Sequence, residues 1–357
     1  MNKIIQTNAG FSVKNVTPNP YDLAPPHSSW RKCLSVSDFY LREMYQPSVT
    51  LSGEDRIATA GSCFAQKIGY ELRNSTANVI DYEPIPHGMS RKTATRLGFG
   101  LYSARYGNIY TSAQWLQLIQ DAFSENIRSD ALWKKNDRYF DGLRANLEPS
   151  GYVSLDICMQ ARLAHLYQIR RLCLDATVFI FTLGLTERWE NRETGTVYPI
   201  CPGAIDAHFG STFHFFNNVG LSETVRELEQ CITLLRAQNP FLRFIFTVSP
   251  VPLMATASGG HVLAATSRSK AILRTAIEEV VRTNSGCDYF PSYEIVTFNP
   301  LHRIAFEANQ REVRGEVVES IMEVFFQGHP LIQRSIQTKD EEIFFNCDET
   351  LLGASTS

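Results

Sequence analysis

Three short apolar runs constrain this chain more than any other feature: "RIATA" at 56–60, "ATVFIFTLG" at 176–184 and "LRFIFTVS" at 242–249. Each reads as a buried strand, and longer segments of helical period separate them. In "CFAQKIGYELRN", Phe64, Ile68 and Leu72 recur every four residues and give one apolar face. "TSAQWLQLIQDAFSE" sets Trp115, Leu116, Ile119 and Phe123 at helical spacing, with Thr111 or Ser112 as its cap. Further helices are expected over "DICMQARLAHLYQIRRLCLD", 222–238, 267–282 and "REVRGEVVESIMEVFFQ", and a second strand over "ANVIDYE". Strand–helix alternation of this kind predicts a mostly parallel sheet covered by helices. Functional groups in such sheets gather beyond the C-terminal strand ends, which here carry "AGSC", "TLGLTE" and "TVSPVP".

The expected organisation is an N-terminal arm over 1–50, rich in turn formers, then an α/β domain over 51–328 with loop insertions. Residues 329–357 read as a C-terminal extension or partly disordered tail. Hydrophobic residues make up 44% and charged residues 20%, which is globular rather than disordered composition. A net charge of −3 without a basic tract argues against a nucleic-acid partner. The beginning "MNKIIQTNAGFSVKN" lacks a secretory signal pattern, and no run approaches 18 apolar residues. The expectation is a cytoplasmic protein with no membrane partner. Eight cysteines form no CxxC pair, and no ligand cluster has zinc spacing. Neither GxxxxGK[ST] nor GxGxxG occurs, so no metal or organic cofactor is expected.

The stretch "ATAGSCFA" at 58–65 places a hydroxyl and a thiol at a strand-to-helix turn. Ser62 reads either as a helix cap or as a nucleophile facing backbone amides. Cys63 is the local rival, since a thiolate at a helix N-terminus is reactive. Gly61 permits the tight turn.

Taken as a set and in order, "RIATAGSCFAQKI", "SARYGNIYT", "FTLGLTERWE", "TVSPVPLMAT" and "YFPSYE" resemble the GSCFA family, related to SGNH/GDSL hydrolases. The resemblance spans roughly residues 15 to 327. It implies a flavodoxin-like, three-layer α/β/α fold and acyl-ester chemistry with Ser62 as the nucleophile. Gly107, with Asn108, would then supply oxyanion donors, and Thr186 and Glu187 would stand near the site where relatives carry an Asn–Asp pair. Many related enzymes have a late Asp-x-x-His, but this chain has Asn309 and Glu312 at those positions. Lys67 stands where the family often has a histidine, so the ordinary Ser-His-Asp triad is not expected.

His261, after a Gly-Gly pair, is the candidate base, with loop packing as the structural alternative. Glu312 is a second candidate base or a helix-stabilising group. Arg105, His208, His214, Lys270 and Glu294 are candidate substrate-binding residues, Glu294 through pairing with Lys270 or by orienting His261. The functional expectation is a serine-dependent acyl-ester hydrolase acting on an O-acylated small molecule or glycan. O-acyl transfer to a sugar or metabolite hydroxyl is the near alternative. A non-catalytic binding or biosynthetic accessory protein is the alternative of a different class. Homo-oligomerisation stays open.

Overall fold

The apolar runs become strands buried on both faces, as parallel strands between helical layers must be. All five residues of the first and all six of the second are buried. In the computed structural model, residues 2–7, 10–15, 19–34, 40–204, 209–298, 305–335, 345 and 347 are described. The chain divides into two units, Met1–Met44 and Tyr45–Ser357. The sequence suggests an irregular arm with a short helix; the first unit holds a short helix, α1 (Trp30–Leu34), preceded by an antiparallel hairpin that was not expected, β1 (Asn2–Thr7) with β2 (Gly10–Asn15).

The second unit begins β3 (Ile57–Gly61), α2 (Cys63–Arg73), α3 (Arg91–Arg96) and α4 (Ser112–Ser124). It continues through β4 (Leu132–Lys135), β5 (Arg138–Asp141), α5 (Leu155–Asp175), β6 (Val178–Leu183), β7 (Glu187–Asn191), β8 (Val197–Tyr198) and β9 (His214–Asn218). Then follow α6 (Leu221–Gln238), β10 (Arg243–Val248), α7 (Val262–Thr283), β11 (Cys287–Phe290), α8 (Ser292–Thr297) and α9 (Gly315–Gly328). The main sheet has the order β11-β10-β6-β3, all parallel. Helix α4 packs on α5 and α6, and α6 on α7, while α2 and α8 pack on α9.

Alternating side chains of the strands supply the core between sheet and helices. Trp115 of α4 stacks on Phe181 at 4.2 Å between ring centroids and also meets Phe179, Phe244 and Phe246. A fully buried aromatic cluster of this kind dominates local packing energy. Thr111 caps α4 in a capping box with Gln114, as its sequence position suggests.

The expected strand over 77–83 is reduced to one parallel bridge, Ile57↔Val79. Ile57 donates to Asn78 O, and its own carbonyl accepts from Ile80 N–H. Further along, the loop at Ser103 takes over the edge of β3, because Ser103 N–H bonds Thr59 O and Ser103 Oγ accepts from Thr59 N–H. The sequence over 139–154 reads as a loop or small hairpin; there Tyr139 of the β4–β5 hairpin bridges Tyr152 antiparallel, whereas strand β4 and the antiparallel β8-β7-β9 sheet are not marked in the sequence. The β8-β7-β9 sheet follows β6 directly and walls the region beyond the strand ends. Residues 329–335 run back beside α2, where Thr76 N–H bonds Gln333 O and Ser335 N–H bonds Asn74 O.

Candidate functional site

The turn after β3 admits only glycine at its pivot. Gly61 has φ of 136°, and a Cβ there would lie 2.3 Å from Thr182 O on β6. Ser62 is then the N-cap of α2, with φ −67° and ψ 174°, and its N–H donates to Thr182 O at 3.0 Å. Its side chain makes no capping bond. Ser62 Oγ is buried and has no hydrogen-bond partner among the described residues, while the residue is 2% exposed. A buried hydroxyl left unpaired costs ~1–3 kcal/mol, so this placement is a local sacrifice of stability at the positive end of a helix.

Ser62 lines a cavity of about 10 Å³, room for about one water, with Cys63, Tyr110, Gly184, Leu185, Ser249, Val251, Pro252 and Leu253. Close approach of two backbones shapes it: a Cβ on Gly184 would stand 3.0 Å from Ser62 Cβ. Tyr110, Leu185 and Leu253 also line a larger cavity of about 250 Å³, which continues past Glu187, Arg188, Trp189, Tyr198 and Phe216 to Thr256. The strand ends of β3, β6 and β10 therefore share one concave region, where open α/β sheets place their ligands.

Ser62 and Cys63 diverge along α2. Gln66, one turn on from Ser62, is buried and donates to Tyr102 Oη and Asn108 Oδ1. Lys67, one turn on from Cys63, donates Nζ to Val313 O. Burial pushes the Lys67 pKa down, while Glu312, Cys63 and Glu307 pull it up. The segment that carries Asn309, Glu312 and Val313 thus lies against the first turns of α2. Within it, Asn309 Oδ1 accepts from the Arg311 and Glu312 amides.

The other candidates are distributed as follows. Gly107 has φ of 75°, and Ile109 N–H beyond it bonds Gly61 O, which ties this loop to the Ser62 turn. Asn108 Oδ1 accepts from Tyr102 Oη at 2.6 Å, and Tyr102 Oη also donates to Ser62 O at 3.1 Å. Thr186 N–H bonds Ser269 Oγ, and its hydroxyl bonds Asn218. Glu187, on the wall of the larger cavity, accepts from Thr256 Oγ1 at 2.6 Å and Ala257 N–H at 3.4 Å. Lys270 is buried and donates Nζ to Gly184 O at 2.6 Å, directly behind the Ser62 cavity.

Arg105 is occupied structurally, bonding Leu97 O, Leu147 O and Glu148. His214 begins β9, stands edge-on to Tyr198, and has its pKa lowered by burial against a smaller opposing pull from Asp130. Glu294 binds Arg274 and Tyr289 Oη rather than Lys270 or His261. His261 is exposed as the N-cap of α7, its Nδ1 accepting from Leu263 N–H. His208 lies outside the described residues. Sequence reasoning missed Tyr110, Leu185 and Leu253, which join the two cavities. Their signal is position: Leu185 and Leu253 follow β6 and β10 closely. Among the described residues no group of three His, Cys, Asp or Glu is placed to hold a metal ion, and no helix is long and apolar enough to cross a membrane.

The domain is of mixed α/β class with a parallel main sheet, and its buried serine at the turn from β3 to α2 is unpaired among the described residues. The chain belongs to the GSCFA family, whose profile matches residues 56–325. No curated protein and no solved structure matches it significantly.

Proposed function

We propose that this GSCFA domain performs serine-dependent acyl chemistry, with hydrolysis of an O-acyl ester as the leading reaction and O-acyl transfer to a hydroxyl as its near alternative. The observation that carries the reading is Ser62 Oγ, which is buried, makes no capping bond and has no partner among the described residues, on a residue that lines a small cavity adjoining a ligand-sized one. The strand order supports kinship with SGNH hydrolases. With the Val79 bridge counted at the edge of β3, the sheet follows the 2-1-3-4-5 order of flavodoxin-like folds.

In this reading Ser62 Oγ bonds the acyl carbon, and the alcohol leaves with a proton. Water or an acceptor hydroxyl then breaks the acyl–serine ester. The first-turn amides of α2, with the Gly107 loop, receive the developing oxyanion. Ser62 N–H is not among those donors, because it holds Thr182 O. His261 takes the proton; it ends the loop that contributes Leu253 to both cavities, and must swing inward from its exposed position. Lys270, through Gly184 O, fixes the back of the cavity.

One observation favours the second reading, a non-catalytic binding or accessory protein: no titratable side chain among the described residues hydrogen-bonds Ser62 Oγ. Turnover of a panel of nitrophenyl esters and O-acylated sugars by wild type, Ser62→Ala and Cys63→Ala separates the two. Serine chemistry predicts a loss of about 10³-fold or more in Ser62→Ala and retained turnover in Cys63→Ala. Full turnover in Ser62→Ala sinks the mechanism, and no turnover by wild type across the panel favours the binding reading.

A further inference from the structure

Several polar side chains lining the larger cavity beside Ser62 are already engaged with neighbouring groups. Arg188 bonds three carboxylates: Glu190, Glu223 at 2.9 Å and Glu227 at 2.6 Å. Glu187 is held by Thr256 and Ala257, and Gln114 Oε1 accepts from the Tyr110 and Thr111 amides. What remains to meet a ligand is the half-buried apolar surface of Leu185, Trp189, Pro199 and Phe216, with Tyr110 and Leu253 at the Ser62 end. An anionic ligand would face Glu187 and the carboxylates around Arg188. A sugar would meet mostly apolar surface on this wall, with Gln114, Glu187 and the Trp189 indole as its few polar neighbours.

We propose that this cavity seats the hydrocarbon of an acyl group whose carbonyl carbon stands at Ser62, so that uncharged medium-chain acyl esters are the preferred substrate class. The proposal rests on the serine reading above. The larger cavity, at about 250 Å³, fits a chain of several methylenes, whereas an acetyl group would leave most of it empty. Burial of hydrocarbon at the usual strength gives roughly a three- to fourfold gain per methylene, or roughly 100-fold between butanoyl and octanoyl.

Two measurements test the proposal, one without turnover. Ser62→Ala protein is titrated with octanamide, acetamide and the monoamide of octanedioic acid, by calorimetry and tryptophan fluorescence. Octanamide is expected to bind at least about 30-fold more tightly than the other two, with a fluorescence change lost in Trp189→Phe. Wild type and Ala255→Trp, a bulky change at an exposed rim position, are then compared on nitrophenyl esters from acetyl to decanoyl. The rate ratio of octanoyl to acetyl is expected to rise in wild type and to fall about tenfold or more in the variant.

Equal binding of the three amides, or a chain-length profile unaffected by Ala255→Trp, overturns the proposal. Acetyl-ester turnover that depends on Ser62, without octanamide binding, overturns the cavity assignment and leaves serine chemistry standing. Octanamide binding without turnover of any ester overturns serine chemistry and keeps the hydrocarbon cavity.

Discussion

Protonation of the buried His329 should account for a large, separable part of how this domain fails in acid. His329, just past α9, is fully buried. Its Nδ1 accepts from Leu51 N–H at 3.3 Å, and its Nε2 has no partner among the described residues. Its ring lies 4.5 Å from Phe325 and 5.5 Å from Tyr45. Burial pushes its pKa down from 6.5 to about 4, so the folded protein keeps it neutral. The unfolded chain binds the proton at about 6.5 and the folded chain only near 4. Stability is therefore full above about pH 6.5 and is lost as the pH falls towards 4. The shift corresponds to ~3 kcal/mol in all, of which ~2.5 is lost by about pH 4.5. That is a large share of a total stability of ~5–15 kcal/mol.

The perturbation is His329→Asn, which keeps an acceptor for Leu51 N–H and removes the titration. It should cost ~1–2 kcal/mol at neutral pH through lost ring packing. Urea unfolding of wild type and variant at about pH 7 and about pH 4.5 reads the effect. The variant should lose ~2.5 kcal/mol less than wild type between the two. His165, buried beside Glu83, keeps a share of the acid slope in both proteins, because burial and then Arg144 push its pKa to about 4 against the pull of Glu83. An identical acid loss in wild type and variant, or a His329 ring titrating near 6.5 in the native protein, would refute the reasoning.

Other substitutions probe separate links. Gly61→Ala drives a Cβ into Thr182 O at a φ unfavourable for L-residues, and should destabilise by ~3 kcal/mol or more, read as loss of soluble folded protein or a fall in Tm. Trp115→Ala removes the ring stacked on Phe181 and should cost ~3–5 kcal/mol in chemical unfolding. Arg188→Leu leaves Glu190, Glu223 and Glu227 without their shared cation; ~3–5 kcal/mol should be lost near pH 7, read by urea unfolding.

The sheet was legible because its strands are continuous apolar runs and its helices repeat one apolar face. Phe64, Ile68 and Leu72 do bury together on α2, and Thr111 does cap α4. The β8-β7-β9 sheet was not legible. Its strands pair across an intervening loop, and "ERWEN" and "HFFNN" show no clean alternation. The Ser62 turn was visible from glycine and small residues, but the company it keeps was not. Tyr110, Leu185 and Leu253 look like ordinary core residues until three strand ends converge. Arg105 illustrates the reverse case: an arginine next to a glycine-containing loop suggests a ligand, yet its donors face Leu97, Leu147 and Glu148. Such partners come from chain segments up to 43 residues apart and leave no local signature.

The central claim is that Ser62 is a reactive nucleophile rather than a structural turn residue. Wild type, Ser62→Ala and Cys63→Ala are treated with an alkyl fluorophosphonate, and the adduct is located by intact mass and peptide mapping. A nucleophilic Ser62 gives one adduct on Ser62 in wild type and in Cys63→Ala, and none in Ser62→Ala. An unmodified Ser62 in folded wild type, or an adduct that persists in Ser62→Ala, would contradict it.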